Sequence, residues 1–232
     1  MSSAPRRPAR HLTRRLLQLY VGLALYGASS AFLVRAGLGL DPWDVFHQGL
    51  AERTGWSIGT VSVAVGALVL LLWVPLRQRP GLGTLSNVFA VGLSMDATVA
   101  VLPDVHGALA QGALLTTGIV LNGVATGLYI SARFGPGPRD GLMTGLHRRT
   151  GRSVRLVRTG IELTVLAAGF LLGGTAGIGT LAYALAIGPL SQLFLRVFAL
   201  PDPPRFPAAA PVAGSAHPPK PAPTPTGTAP RR

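Results

Sequence analysis

No cysteine occurs among the 232 residues, so disulfides and thiolate metal or redox centres are excluded. Charge is scarce. Only 12% of residues are charged, where soluble domains carry about 25%. Acidic residues number 8, and Lys220 is the single lysine among 21 basic residues. A net charge of +13 by itself points to a polyanion or a membrane surface. The low charged fraction and a mean hydropathy of +0.43 argue against a nucleic-acid binder and place a membrane protein first.

Several motifs are also missing. There is no Walker A pattern, no Rossmann fingerprint, no His-Glu-x-x-His and no Gly-x-Ser-x-Gly. His47 and His147 have no metal-ligand spacing. The sequence therefore predicts neither an ATP-driven pump nor an enzyme, and no cofactor.

What is present is apolar. A helix crossing a bilayer needs about 20 mostly apolar residues. Windows 16–35, 57–76, 83–103, 108–131, 156–174 and 178–198 satisfy this. Residues 1–15 form a basic lead. Residues 201–232 hold 11 of the 20 prolines and read as a disordered, Pro-rich tail.

The chain also repeats itself at a constant offset of 96. Gly39, Pro42 and Asp44 match Gly135, Pro138 and Asp140. Arg53-Thr54-Gly55 matches Arg149-Thr150-Gly151, and Gly83-Thr84-Leu85 matches Gly179-Thr180-Leu181. Shared apolar composition accounts for Leu and Ala matches, but not for polar loop blocks that hold register. The two units are residues 16–103 and 104–200, with three spans each. An odd number of spans requires opposite orientations, the inverted repeat of many secondary transporters. The fold expected is all-α: six transmembrane helices as two inverted three-helix repeats.

The charges agree with that arrangement. With the N-terminus in the cytoplasm, 19 of the 21 basic residues face the cytoplasm and only Arg35 and Arg53 face outward. The localisation expected is a bacterial plasma membrane, multi-pass, with both termini cytoplasmic.

The loop pair between the first two spans of each half is the richest segment. Asp41, Trp43 and Asp44 lie in 37–44, and its repeat partner 133–140 holds Arg139 and Asp140, the counterparts of Trp43 and Asp44. Pro and Gly end the preceding helix. Asp44 and Asp140 are expected to N-cap short amphipathic helices that close at Gly55 and Gly151. Two geometries are open: interfacial helices on opposite membrane faces, or re-entrant segments meeting near the midplane.

Charges within spans are functional candidates by default. Asp96 is the only charge in 83–103, and Glu162 lies in the fifth window four residues after Arg158. The ion- or substrate-binding candidates are thus Asp41, Trp43, Asp44, Asp96, Arg139, Asp140 and Glu162. For Asp96 and Glu162 the structural alternative is pairing with a neighbouring group in the bundle. Asn87, Asn122 and Gln192 read as interhelical hydrogen-bond glue. Gly27-x-x-x-Ala31 recurs as Gly123-x-x-x-Gly127, which predicts that the first and fourth spans pack together; a homodimer contact is the other use of such a motif.

The runs 37–50 (GLGLDPWDVFHQGL), 55–61 (GWSIGTV) and 134–141 (FGPGPRDG) resemble the YczE/YitT-type bacterial integral membrane proteins, over about residues 13–200. Members have been proposed as exporters of secondary metabolites, so the resemblance implies a transporter class and assigns no residues. The function expected is an ion-coupled secondary transporter or exporter of an unknown small molecule. The alternative is a non-transporting scaffold for a biosynthetic or regulatory complex. The lipid bilayer is the one partner the composition itself demands.

Overall fold

The computed structural model describes residues 8–199. The basic residues before Pro8 and the Pro-rich segment 201–232 lie outside the described residues. Within them the chain is all-α, with eight helices. These are α1 (Pro8–Ala36), α2 (Pro42–Thr54), α3 (Ile58–Trp73), α4 (Leu82–Val101), α5 (Ala108–Ser131), α6 (Pro138–Thr150), α7 (Val154–Leu172) and α8 (Ile178–Val197). The helix of the first window runs back to Pro8, through part of the segment read as a basic lead.

Four helices are long and apolar enough to cross a membrane: α1, α4, α5 and α8. The count becomes five if α2 and α3, bent by 113° at Gly55–Ser57, form one broken span. Two of the six expected windows fall short for local reasons. α3 is only 16 residues long and gives way to a turn at Val74–Arg77. α7 carries Arg155, Arg158 and Glu162 in its first half.

The offset of 96 carries Pro42–Thr54 onto Pro138–Thr150 and Leu82–Val101 onto Ile178–Val197. Local sequence explains the shared boundaries. Pro42 and Pro138 open α2 and α6 at a position where a missing N–H costs nothing. The N-cap of α2 is Asp41, whose Oδ1 accepts from the N–H groups of Trp43 and Asp44, and the N-cap of α6 is Gly137. Asp44 and Asp140, expected as caps, therefore sit in the first turn, because proline starts each helix two residues earlier. Gly55 and Gly151 end the helices at φ 73° and 68°, as the glycines predicted. A Cβ at Gly55 meets nothing within 4 Å, so only backbone strain opposes a side chain there. Gly55→Ala should destabilise the protein by about 1 kcal/mol, measured by thermal unfolding in detergent.

α1 and α5 form the centre. They approach at two repeat-related glycines. A Cβ on Gly22 would stand 2.8 Å from Tyr129 N and 3.1 Å from Ala125 O; one on Gly118 would stand 3.1 Å from Ser29 O and 3.1 Å from Leu33 Cδ2. Residues rise along α1 as they fall along α5, so the two helices run antiparallel. The Gly27 and Gly123 motifs do not make this contact. Gly27 faces Val91 and Met95 of α4, and Gly123 and Gly127 face Leu190 and Phe194 of α8. The motif joins the first helix of each half to the last, and its small-residue face is filled within the chain instead of being left for a homodimer.

The halves also interlock through backbone. Gly83 N–H donates to Phe134 O at 2.9 Å, and its counterpart Gly179 N–H donates to Leu38 O at 2.8 Å. Thr84 and Thr180 each accept from the N–H three residues back, of Gly81 and Gly177. Each glycine-rich loop is thereby held against the start of the other half's last helix. α2 packs on α7, where Gly49 and Gly169 let the backbones touch, and α6 packs on α3, where Gly141 lies under the Trp73 ring. This brings the N-termini of α2 and α6 into the interior.

Candidate functional site

The site forms where those N-termini converge. Asp41, Asp44 and His47 of α2 are buried, at 1%, 2% and 2% exposure. Arg139, in the first turn of α6, reaches across to them. Its Nη1 is 3.4 Å from Asp41 Oδ1 and its Nη2 is 3.6 Å from Asp44 Oδ1. Its guanidinium lies 5.1 Å from the centre of the Trp43 ring, in cation–π range. Trp43 and Arg139 are repeat counterparts, so equivalent positions of the two halves touch here. His47 Nδ1 is 3.0 Å from Asp44 Oδ1.

The surrounding wall carries polar side chains from α1, α5 and α8. Tyr26 and Tyr129 stack edge to face with centroids 6.1 Å apart. The Tyr129 hydroxyl donates to Asp140 Oδ2 at 3.2 Å. Asn122, fully buried, donates to Ser29 Oγ at 2.8 Å and accepts from the Tyr183 hydroxyl at 3.1 Å. That is the interhelical role expected of it. A buried amide is stable only when its donors and acceptors are satisfied in this way.

Two cavities flank the cluster. One, of about 90 Å³, is bounded by α3 and α4 and includes Ser62, Val65, Gly66, Asn87 and Val91. The other, of about 350 Å³, is bounded by α7 and α8 and includes Arg158, Ile161, Glu162, Tyr183 and Ile187. These two sets are repeat counterparts, residue for residue. Tyr26, Trp43, Tyr129, Arg139 and Asp140 line both cavities.

Of the seven candidates, Asp41, Trp43, Asp44, Arg139 and Asp140 come together here, and Glu162 lines the larger cavity, held by Arg158 Nε at 2.9 Å. Asp96 does not join them. Its carboxylate accepts from Ser57 Oγ at 2.6 Å and from Gly59 N–H at 2.8 Å, tying α4 to the start of α3. It is satisfied as a structural clasp. Sequence reasoning weighed His47 only as a metal ligand and passed over Tyr26, Tyr129 and Tyr183. A signal for two of them was available: Tyr26 pairs with Asn122 in the repeat, and Asn87 with Tyr183. Polar side chains at equivalent depths of apolar helices mark a shared interior.

Comparison with known proteins matches residues 13–196 to a family of unknown function, DUF6198. The chain belongs to this family. An uncharacterized protein of Haemophilus influenzae is 39% identical over 181 residues, covering 78% of this chain and 83% of that protein. The uncharacterized membrane protein YczE of Bacillus subtilis is 37% identical over 166 residues, 71% of this chain and 75% of its own. The uncharacterized protein YyaS of the same organism is 25% identical over 181 residues, 76% of this chain and 90% of its own. No solved structure matches. With its apolar helices and its likeness to YczE, the chain is a multi-pass membrane protein in the lipid bilayer. The resemblance read from the loop motifs agrees with the YczE match.

Proposed function

We propose that the protein is an ion-coupled secondary transporter of a small molecule, and not an enzyme. It is read as two inverted three-helix halves, with α2 and α6 re-entrant and both termini cytoplasmic. The observation that carries this reading is the pair of repeat-related cavities, about 90 and about 350 Å³, on either side of the Trp43–Arg139 contact. In inverted-repeat transporters the halves hold different conformations, and exchanging them moves access from one membrane face to the other around a fixed central site. Here the second half's cavity is the larger one. Exchange would enlarge the cavity beside α3 and α4 and close the one beside α7 and α8. The antiparallel pairing of α1 with α5 and the cytoplasmic bias of arginine support the same arrangement.

The test is flux in proteoliposomes, using a broad panel of amphipathic small molecules under a pH gradient and under a sodium gradient. The expected outcome is gradient-driven movement of at least one compound, abolished by Arg139→Gln. Flux of none under either gradient, with a stable protein partner on pull-down, would replace the transporter by the scaffold reading.

A further inference from the structure

Asp41 and Asp44 leave something unexplained. Each uses only Oδ1: Asp41 for the N–H groups of Trp43 and Asp44 and for Arg139, Asp44 for His47 and Arg139. The Oδ2 atoms of both are buried and have no hydrogen-bond partner. Ser30 Oγ, on α1, is buried beside Asp44, and its hydroxyl is the neighbouring donor for that carboxylate. Buried acceptors with no donor are rare, and each calls for a physical reason.

The local charge is also unbalanced. Two carboxylates face one guanidinium, and His47 in its neutral form adds nothing. Neutral His47 already meets Asp44 Oδ1 from Nδ1, so an extra proton on its ring would supply no donor to either Oδ2. The groups that face the pair from the packed helices are Tyr26 and Ser30 of α1, Tyr129 of α5, Arg139 and Asp140 of α6, Arg158 and Glu162 of α7, which pair with each other, and Tyr183 of α8. Arg139 is the cation that pairs with the two carboxylates. One proton placed between the two carboxyl groups removes one of the unbalanced negative charges, which Asp140 adds to, and supplies the donor that Asp41 Oδ2 lacks. Two carboxylates that share one site characteristically share a proton in this way.

We propose that Asp41 and Asp44 form a binding site for a single shared proton at the start of α2, and that this proton is the coupling ion of the transport cycle. The second part rests on the transporter reading; the first does not. The proton enters as H⁺ from the cavity side and bonds one carboxylate while the other accepts it. Nothing is oxidised or reduced. Its release leaves two carboxylates against Arg139 alone, which tightens both ion pairs on the guanidinium that lines both cavities.

The experiment is an infrared difference spectrum of the full chain in lipid nanodiscs between about pH 9 and about pH 5. The expected result is a carbonyl band of a protonated carboxylic acid in the wild type and in His47→Gln, lost in both Asp41→Asn and Asp44→Asn. Asparagine keeps the N-cap acceptor at position 41, and a single symmetric elution peak for each variant checks that it folds. Loss in only one of the two variants, or persistence in both, overturns the shared site. A response to sodium at fixed alkaline pH in place of the proton response overturns it too. Because the readout needs no flux, a protein that titrates but moves nothing sinks the transporter reading and leaves the proton site standing.

Discussion

Replacing Arg139 by glutamine should lower stability by about 3 kcal/mol, and Asp41→Asn in that background should recover a large part of it. Removing one partner of a buried ion pair costs about 3–5 kcal/mol, because the other charge is left uncompensated. Arg139 is 29% exposed to the cavities, so solvent there softens the loss toward the lower end. Glutamine also gives up the contact over Trp43, worth about 0.5–2 kcal/mol. The recovery is the diagnostic part. If Asp41 and Arg139 acted independently, their effects would add; coupling through a shared charge makes the double variant more stable than the sum. Thermal unfolding of the four proteins in detergent reads this directly. A double variant no more stable than additivity predicts would mean that the 3.4 Å approach contributes nothing.

The second large effect lies in the packing. Gly27→Ala should destabilise the bundle by about 2 kcal/mol or more, while Gly160→Ala should stabilise it by about 0.5–1 kcal/mol. Both glycines are in helices, so intrinsic helix propensity favours alanine at each. What differs is the neighbour. A Cβ on Gly27 would run into the backbone of α4 at Val91 and Met95, which cannot move without separating two helices. A Cβ on Gly160 meets nothing within 4 Å. In a bilayer, where helices gain no hydrophobic drive from meeting each other, close backbone approach is a main source of association. Equal effects at the two positions, by the same thermal measurement, would remove Gly27 from the α1–α4 contact.

Much of this architecture was readable because the repeat is written in cap and turn residues. Pro42 and Pro138 open helices, Gly55 and Gly151 close them, and Gly83 and Gly179 hold the two loops by equivalent hydrogen bonds. Turn and cap chemistry is local, so it survives translation from sequence to structure. The spans were less legible. α3 is short and α7 carries three charged residues, so hydropathy alone overstated them as free-standing membrane helices. Partner choice was legible only in part. The first and fourth spans do pack together as expected, but through Gly22 and Gly118, while the Gly27 motif meets α4. The Asp41–Arg139 pairing depends on α2 crossing to α7 and α6 to α3, a swap that no single segment encodes. Asp96 was open between a functional site and pairing with a neighbouring group; its partners are Ser57 and Gly59, 39 and 37 residues earlier, which no local pattern names.

The central claim is that the two halves are inverted and meet at one ionic cluster between them. Its most direct test uses the absence of cysteine. Trp56 and Arg152 are repeat counterparts in the exposed loops after α2 and α6, and Trp56 is 57% exposed. Single-cysteine variants Trp56→Cys and Arg152→Cys can be labelled on intact cells with a membrane-impermeant maleimide, before and after permeabilisation. Inversion predicts that position 56 labels on intact cells and that position 152 labels only once the membrane is opened. Equal labelling of the two on intact cells would contradict it.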